Sequence, residues 1–136
     1  MAIRNAALWL IALLLASATG ALADCHVHMG DHVALYGAGD DPKVFVWDSR
    51  FRMREYEAGT FDQARALLPH AVLADPWTRA IVSGCVSNFV LFRDSATSDD
   101  AIGIVIVSGP LRGERGWVLG SDTRNMSSAT ISHRRR

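Results

Sequence analysis

Ile102-Gly103-Ile104-Val105-Ile106-Val107 (IGIVIV) is apolar at every position, so a strand formed here carries apolar side chains on both faces. Such a strand belongs in the middle of a packed structure, and it makes the chain a β protein. Working outward, Ser108-Gly109-Pro110 turns the chain, and Arg115–Leu119 (RGWVL) is the next strand. On the other side, Ser95–Asp100 reads as a polar loop. Arg79–Ser87 (RAIVSGCVS) and Phe89–Arg93 read as one bent strand or two, with Gly84 where a bulge would help.

The earlier part of the chain continues the pattern. His32–Tyr36 reads as a strand closed by Gly37-Ala38-Gly39-Asp40-Asp41-Pro42. Lys43–Trp47 is a second, with Val44, Val46 and Asp48 on one face and Phe45 and Trp47 on the other. Phe51–Glu55 alternates as well, which predicts a strand with Arg50, Arg52 and Arg54 projecting from a single face. One segment breaks the β period. Thr60-Phe61-Asp62-Gln63 has the form of a capping box, followed by Ala64, Ala66, Leu67 and Leu68 and stopped by Pro69. It predicts a short helix over 61–68, with Phe61, Ala64, Leu67 and Leu68 facing inward.

The first 23 residues read as a signal peptide. Arg4 is a short positive start, Ala6–Ala18 (AALWLIALLLASA) is an uncharged apolar run, and Ala21 and Ala23 are small residues at a cleavage position. The run is shorter than the roughly 20 residues of a spanning helix, so no membrane span is expected after cleavage. Asp24 precedes Cys25, which argues against a lipid-modified cysteine. Residues 24–124 then form a single domain, and 125–136, ending in Arg134-Arg135-Arg136, are expected to be a disordered basic tail. The expected location is periplasmic or secreted. There Cys25 and Cys85, the two cysteines of the chain, favour a disulfide.

Charge is balanced, with 14 Lys and Arg against 14 Asp and Glu. The only basic concentration is the terminal tip, so nucleic acid is not an expected partner. No serine lies in a nucleophile-elbow context, no zinc spacing or phosphate-binding glycine loop is present, and a thiolate at Cys85 would be disfavoured in its apolar strand. The expectation is a non-enzymatic protein without a cofactor.

Pro76-Trp77-Thr78-Arg79-Ala80-Ile81-Val82, the strand at 102–107, and Gly113-Glu114-Arg115-Gly116-Trp117-Val118 followed by Ser121-Asp122 together resemble a bacterial Src-homology-3-like domain over about residues 76–123. The resemblance implies a mainly β fold, a small barrel closed by a late Gly-Trp-Val strand with a one-turn helix after it. The family's usual Leu-Asn-Val-Arg opening strand is absent, and the helical insertion is extra. Members often bind peptides or cell-wall material, which makes a peptide, a partner protein or a cell-wall fragment the implied partner.

Two sets of residues are candidates for a site. Trp77 and Tyr56, flanked by Arg50, Arg52 and Arg54, would grip such a ligand. Against this, the arginines fit a solvated face paired with Asp48, Glu55 or Glu57, and Trp47 and Trp117 fit a core. Alternatively, a mature chain starting Asp24-Cys25-His26 offers an amine, two amides and an imidazole, a set suited to copper or nickel, with His28, Met29 and His32 close behind.

Overall fold

The structure is a computed structural model and describes residues 25–126. The signal peptide, Asp24 and residues 127–136 of the expected tail lie outside the described residues. Seven strands follow one another: β1 (His32–Leu35), β2 (Val44–Trp47), β3 (Ala71–Ala74), β4 (Thr78–Leu91), β5 (Ser98–Ile106), β6 (Arg115–Leu119) and β7 (Thr123–Asn125). They form one sheet in the order β3-β2-β6-β5-β4-β1-β7, with every pairing antiparallel, curled into a half-barrel. Two helices, α1 (Arg50–Ala58) and α2 (Phe61–Leu67), sit between β2 and β3. The mainly β expectation therefore stands, but with two helices rather than one.

The apolar character of β5 on both faces has a direct cause. Ile102, Ile104 and Ile106 point into the barrel and meet Val33, Leu35, Val82 and Val118, all buried. Ala101, on the opposite face, joins a second cluster with Trp47, Met53 and Val90, which α1 covers. Each fully buried aliphatic side chain contributes about 1.5–3 kcal/mol. The faces expected of β2 hold: Val44 and Val46 lie in the barrel cluster, Phe45 and Trp47 in the helix-covered one.

β4 is one bent strand. Its pairing with β5 shifts register between Val82 and Gly84 and again between Val86 and Val90. The first shift falls at the expected glycine. At the second, Asn88 adopts φ 51° and its N–H donates to Asp100 Oδ1 at 2.9 Å. Asparagine tolerates this left-handed backbone better than most residues. Gly116 is required by close approach: a Cβ there would stand 2.5 Å from Val46 Cγ1 and 2.7 Å from the Trp47 carbonyl oxygen, where β2 crosses β6.

The expected strand at Phe51–Glu55 is a helix. Ser49 caps α1, its Oγ accepting from the Phe51 N–H at 3.2 Å. Met53 is fully buried and Tyr56, three residues on, is half-buried, a helical spacing. The five-residue alternation was too short to exclude that period, and Ser49 decides between them.

The helix expected at 61–68 is present as α2, with both bonds of its capping box formed: Thr60 N–H to Gln63 Oε1 at 3.0 Å and Gln63 N–H to Thr60 Oγ1 at 3.3 Å. Its orientation differs from expectation. Ala64 and Leu67 are half-buried, but Phe61 is 76% exposed and Leu68 39% exposed. Pro69 does not end the helical path; Leu68–His70 continues it as a 3-10 turn leading into β3. Ser98–Asp100, expected in a loop, already belongs to β5, and β7 runs to Asn125, where the tail was expected to start. A one-turn 3-10 helix, Gly120–Asp122, follows β6.

Candidate functional site

Asp75-Pro76-Trp77-Thr78 forms the corner between β3 and β4. Thr78 N–H donates to the Asp75 carbonyl at 3.2 Å, and Thr78 Oγ1 donates to the same oxygen at 2.7 Å. Pro76 takes the second position of this turn, and Trp77 takes the third with φ 65°. That is the pattern of a type II turn, in which the third position favours glycine. Among the described residues, Gly30, Gly109 and Gly113 fill the left-handed positions other than those of Trp77 and Asn88. A left-handed backbone costs an ordinary L residue about 1–2 kcal/mol.

Trp77 does not recover that cost by burial, because it is 62% exposed. Its N–H donates to the Leu35 carbonyl at 2.7 Å, which holds the turn against the end of β1. The indole lies on Tyr36, with ring centroids 4.7 Å apart and planes 38° from parallel. The Arg124 guanidinium on β7 sits 5.9 Å from the Tyr36 ring centre. Tyr36, Trp77 and Arg124 thus make an aromatic ledge with one positive edge. Tyr36 and Arg124 were not among the residues singled out in the sequence. Tyr36 follows β1 immediately before Gly37, but nothing local to it signals Trp77.

Tyr56 is elsewhere. It packs on Trp47 at 4.9 Å and Phe45 at 5.6 Å in the helix-covered cluster. Burial there, with Glu57 adding to it, holds the Tyr56 hydroxyl above its usual pKa.

The arginines are divided, because residues two apart on a helix do not share a face. Arg52 Nη1 pairs with Asp48 Oδ2 at 2.9 Å, and His70 Nδ1 reaches the same oxygen at 3.1 Å. Slight desolvation opposes ionisation of Asp48, but the bonds from Arg52 and His70 outweigh it and hold its pKa below the usual carboxylate value. Arg50 and Arg54, four residues apart, stack together on aromatic rings instead. Arg54 Cζ is 4.5 Å from the Phe89 centre and 5.3 Å from Phe51. Arg50 Cζ is 5.6 Å from Phe89, 5.1 Å from Phe51 and 5.3 Å from Trp117.

Cys25 and Cys85 form a disulfide with Cα atoms 6.5 Å apart, within the ordinary span. The Asp100 carboxylate lies near both sulfurs, but oxidised sulfurs offer no thiolate to a metal. The three histidines do not converge among the described residues. His26 places Nε2 3.0 Å from Thr123 Oγ1 and Nδ1 3.7 Å from Asp100 Oδ2. His28 Nδ1 stands 3.8 Å from Asp31 Oδ2, and His32 is exposed on β1.

Asp122, just before β7, belongs to an acidic group with Asp99 and Glu57. Burial, followed by the nearby Asp99 charge, raises Asp122 to about 6 against the opposing pull of Arg124 and a bond from the Ala38 N–H. Burial, then Asp122 and Asp99, raises Glu57 as well. No family model, curated protein or solved structure matches this chain.

Proposed function

We propose that this chain is an exported, non-enzymatic binding module of the Src-homology-3-like type, and that its Tyr36–Trp77 ledge docks an extended peptide segment of a partner protein or of the cell wall. The observation that carries this reading is a large aromatic residue that is exposed and held in a backbone conformation suited to glycine. Strain of this kind tends to persist where it serves a contact. Trp and Tyr rings are rigid and amphipathic, and they bury large area at low entropic cost. Export is supported by the Cys25–Cys85 disulfide and by the leader-like first 23 residues. Among the described residues, no helix is long and apolar enough to cross a membrane.

An array of extended peptides, probed with the wild-type protein and with Trp77→Ala, tests the reading. A subset of peptides should bind the wild type and lose the variant, while the two proteins give the same circular dichroism spectrum. Retention by both proteins alike would remove the ledge from the contact.

A further inference from the structure

We propose that Arg50 and Arg54 form a clamp for a carboxylate on the helix-covered face of the sheet, a site separate from the Tyr36–Trp77 ledge. The two guanidiniums share the Phe51 and Phe89 rings, so two positive charges are gathered one helical turn apart. Like charges at this spacing repel. The ordinary remedy is a carboxylate, and α1 shows it at Arg52, which Asp48 neutralises. Among the described residues, neither the Arg50 nor the Arg54 guanidinium has an ion pair or a hydrogen bond.

Two further observations point to a ligand. Arg50 Nε is out of contact with water and has no hydrogen-bond partner, a donor left without an acceptor in a structure that otherwise satisfies its buried side-chain polar atoms among the described residues. The rings that hold both Cζ atoms within 4.5–5.6 Å of their centres also carry no oxygen or nitrogen acceptor for the guanidinium N–H groups. A guanidinium presents its N–H groups in one plane, a fork that matches the two oxygens of a planar carboxylate. With Arg54 exposed and Arg50 half-exposed, the pair is arranged for an acceptor that comes from outside the chain and meets the terminal amino groups, Arg50 Nε itself being shielded. The ligand class is a carboxylate, presented by a small acid or by the free C-terminus of a peptide.

The test uses residues 24–136 with the disulfide intact, at about 10 mM ionic strength, where the screening length is about 30 Å. Acetate, N-acetyl-alanyl-alanine, its C-terminal amide and inorganic phosphate are titrated separately, while the Nε–Hε resonances of Arg50 and Arg54 are followed by NMR. N-acetyl-alanyl-alanine should shift both resonances saturably, and its amide should bind roughly tenfold more weakly or not at all, since it lacks the charge. Acetate matching the dipeptide would assign a small acid; a dipeptide several-fold tighter would assign a peptide terminus. Arg54 is exposed, so Arg54→Gln should keep the fold and weaken dipeptide binding by roughly fivefold or more. Arg54→Lys, which keeps the charge but loses the fork, should fall between. Equal shifts from acid and amide, saturation by phosphate alone, or unchanged affinity in Arg54→Gln would each overturn the clamp.

Discussion

Trp77 rests on Tyr36 with ring centroids 4.7 Å apart, at the point where the Trp77 N–H also closes onto the Leu35 carbonyl. The turn and the ledge are therefore one object. The register that sets Leu35 opposite Thr78 brings the two rings together, and the left-handed backbone of Trp77 aims the indole outward over its neighbour.

This coupling makes the cost of the turn measurable. Trp77→Gly removes a left-handed strain of about 1–2 kcal/mol but loses an aromatic contact of about 0.5–1.5 kcal/mol and adds backbone entropy. The expected change in unfolding free energy is within about 1 kcal/mol of zero. Trp77→Val loses the same ring and leaves a β-branched residue at φ 65°, so it should be less stable than the glycine variant by about 1 kcal/mol or more. Urea titrations of the two variants decide it. If valine is tolerated as well as glycine, the turn is not strained.

The disulfide ties residues at a sequence separation of 60 and anchors the segment that buries Val27 in the barrel cluster. In the chain-entropy picture, closing such a loop is worth roughly 4 kcal/mol. Cys25→Ser with Cys85→Ser should accordingly lower Tm by about 10–20 °C for a domain of this size. Superimposable melts with and without reductant would show that the bond contributes nothing to the folded state.

Much of the β layout was legible because it follows from apolarity alone. Ile102–Ile106 is apolar on both faces because two separate clusters press on it, and a sheet with both faces covered needs such a strand. What covers the second face was not legible. Met53 is the one fully buried residue of α1, so the helix has almost no apolar stripe to announce it, and Arg-Phe-Arg-Met-Arg satisfies a period of two equally well. Ala71–Ala74 was missed because four apolar residues after a helical turn carry no alternation. The site divides along the same line. Trp77 stood out beside Pro76, whereas Tyr36 becomes its partner only through the pairing of β1 with β4, a long-range fact.

Gly116 should be among the least replaceable residues. A Cβ at this position meets backbone as well as side chain, at 2.7 Å from the Trp47 carbonyl oxygen, so β2 and β6 must separate to admit it. Gly116→Ala should cost about 1–3 kcal/mol, the usual range for overpacking. Gly39→Ala, where a Cβ meets nothing within 4 Å, is the control and should stay within about 0.5 kcal/mol. Thermal melts of the two variants check the contrast; equal stability would mean that the crossing of β2 and β6 is looser than the distances imply.

Asp122 gives the fold a pH dependence of definite sign. Its folded pKa, about 6, stands above the ordinary 3.8 through burial and the Asp99 charge. The folded protein therefore holds its proton more tightly than the unfolded chain does. The stabilising effect of that proton is fully present below about pH 4 and is lost as the pH rises through 6, so Asp122 makes the domain less stable at neutral pH than at pH 4. Asp122 is only half-buried, and solvent screening limits the cost to about 1–2 kcal/mol. The elevated Glu57 acts in the same direction, whereas the lowered Asp48 opposes it. Asp122→Asn keeps an acceptor for the Ala38 N–H and removes the charge that Asp99 and Glu57 oppose. It should raise stability at pH 7 by about 1 kcal/mol and leave stability at pH 4 nearly unchanged. Unfolding free energies of wild type and variant at the two pH values test this directly. An equal gain at both, or a loss at pH 7, would show that the Asp122 carboxylate is not held against its charge.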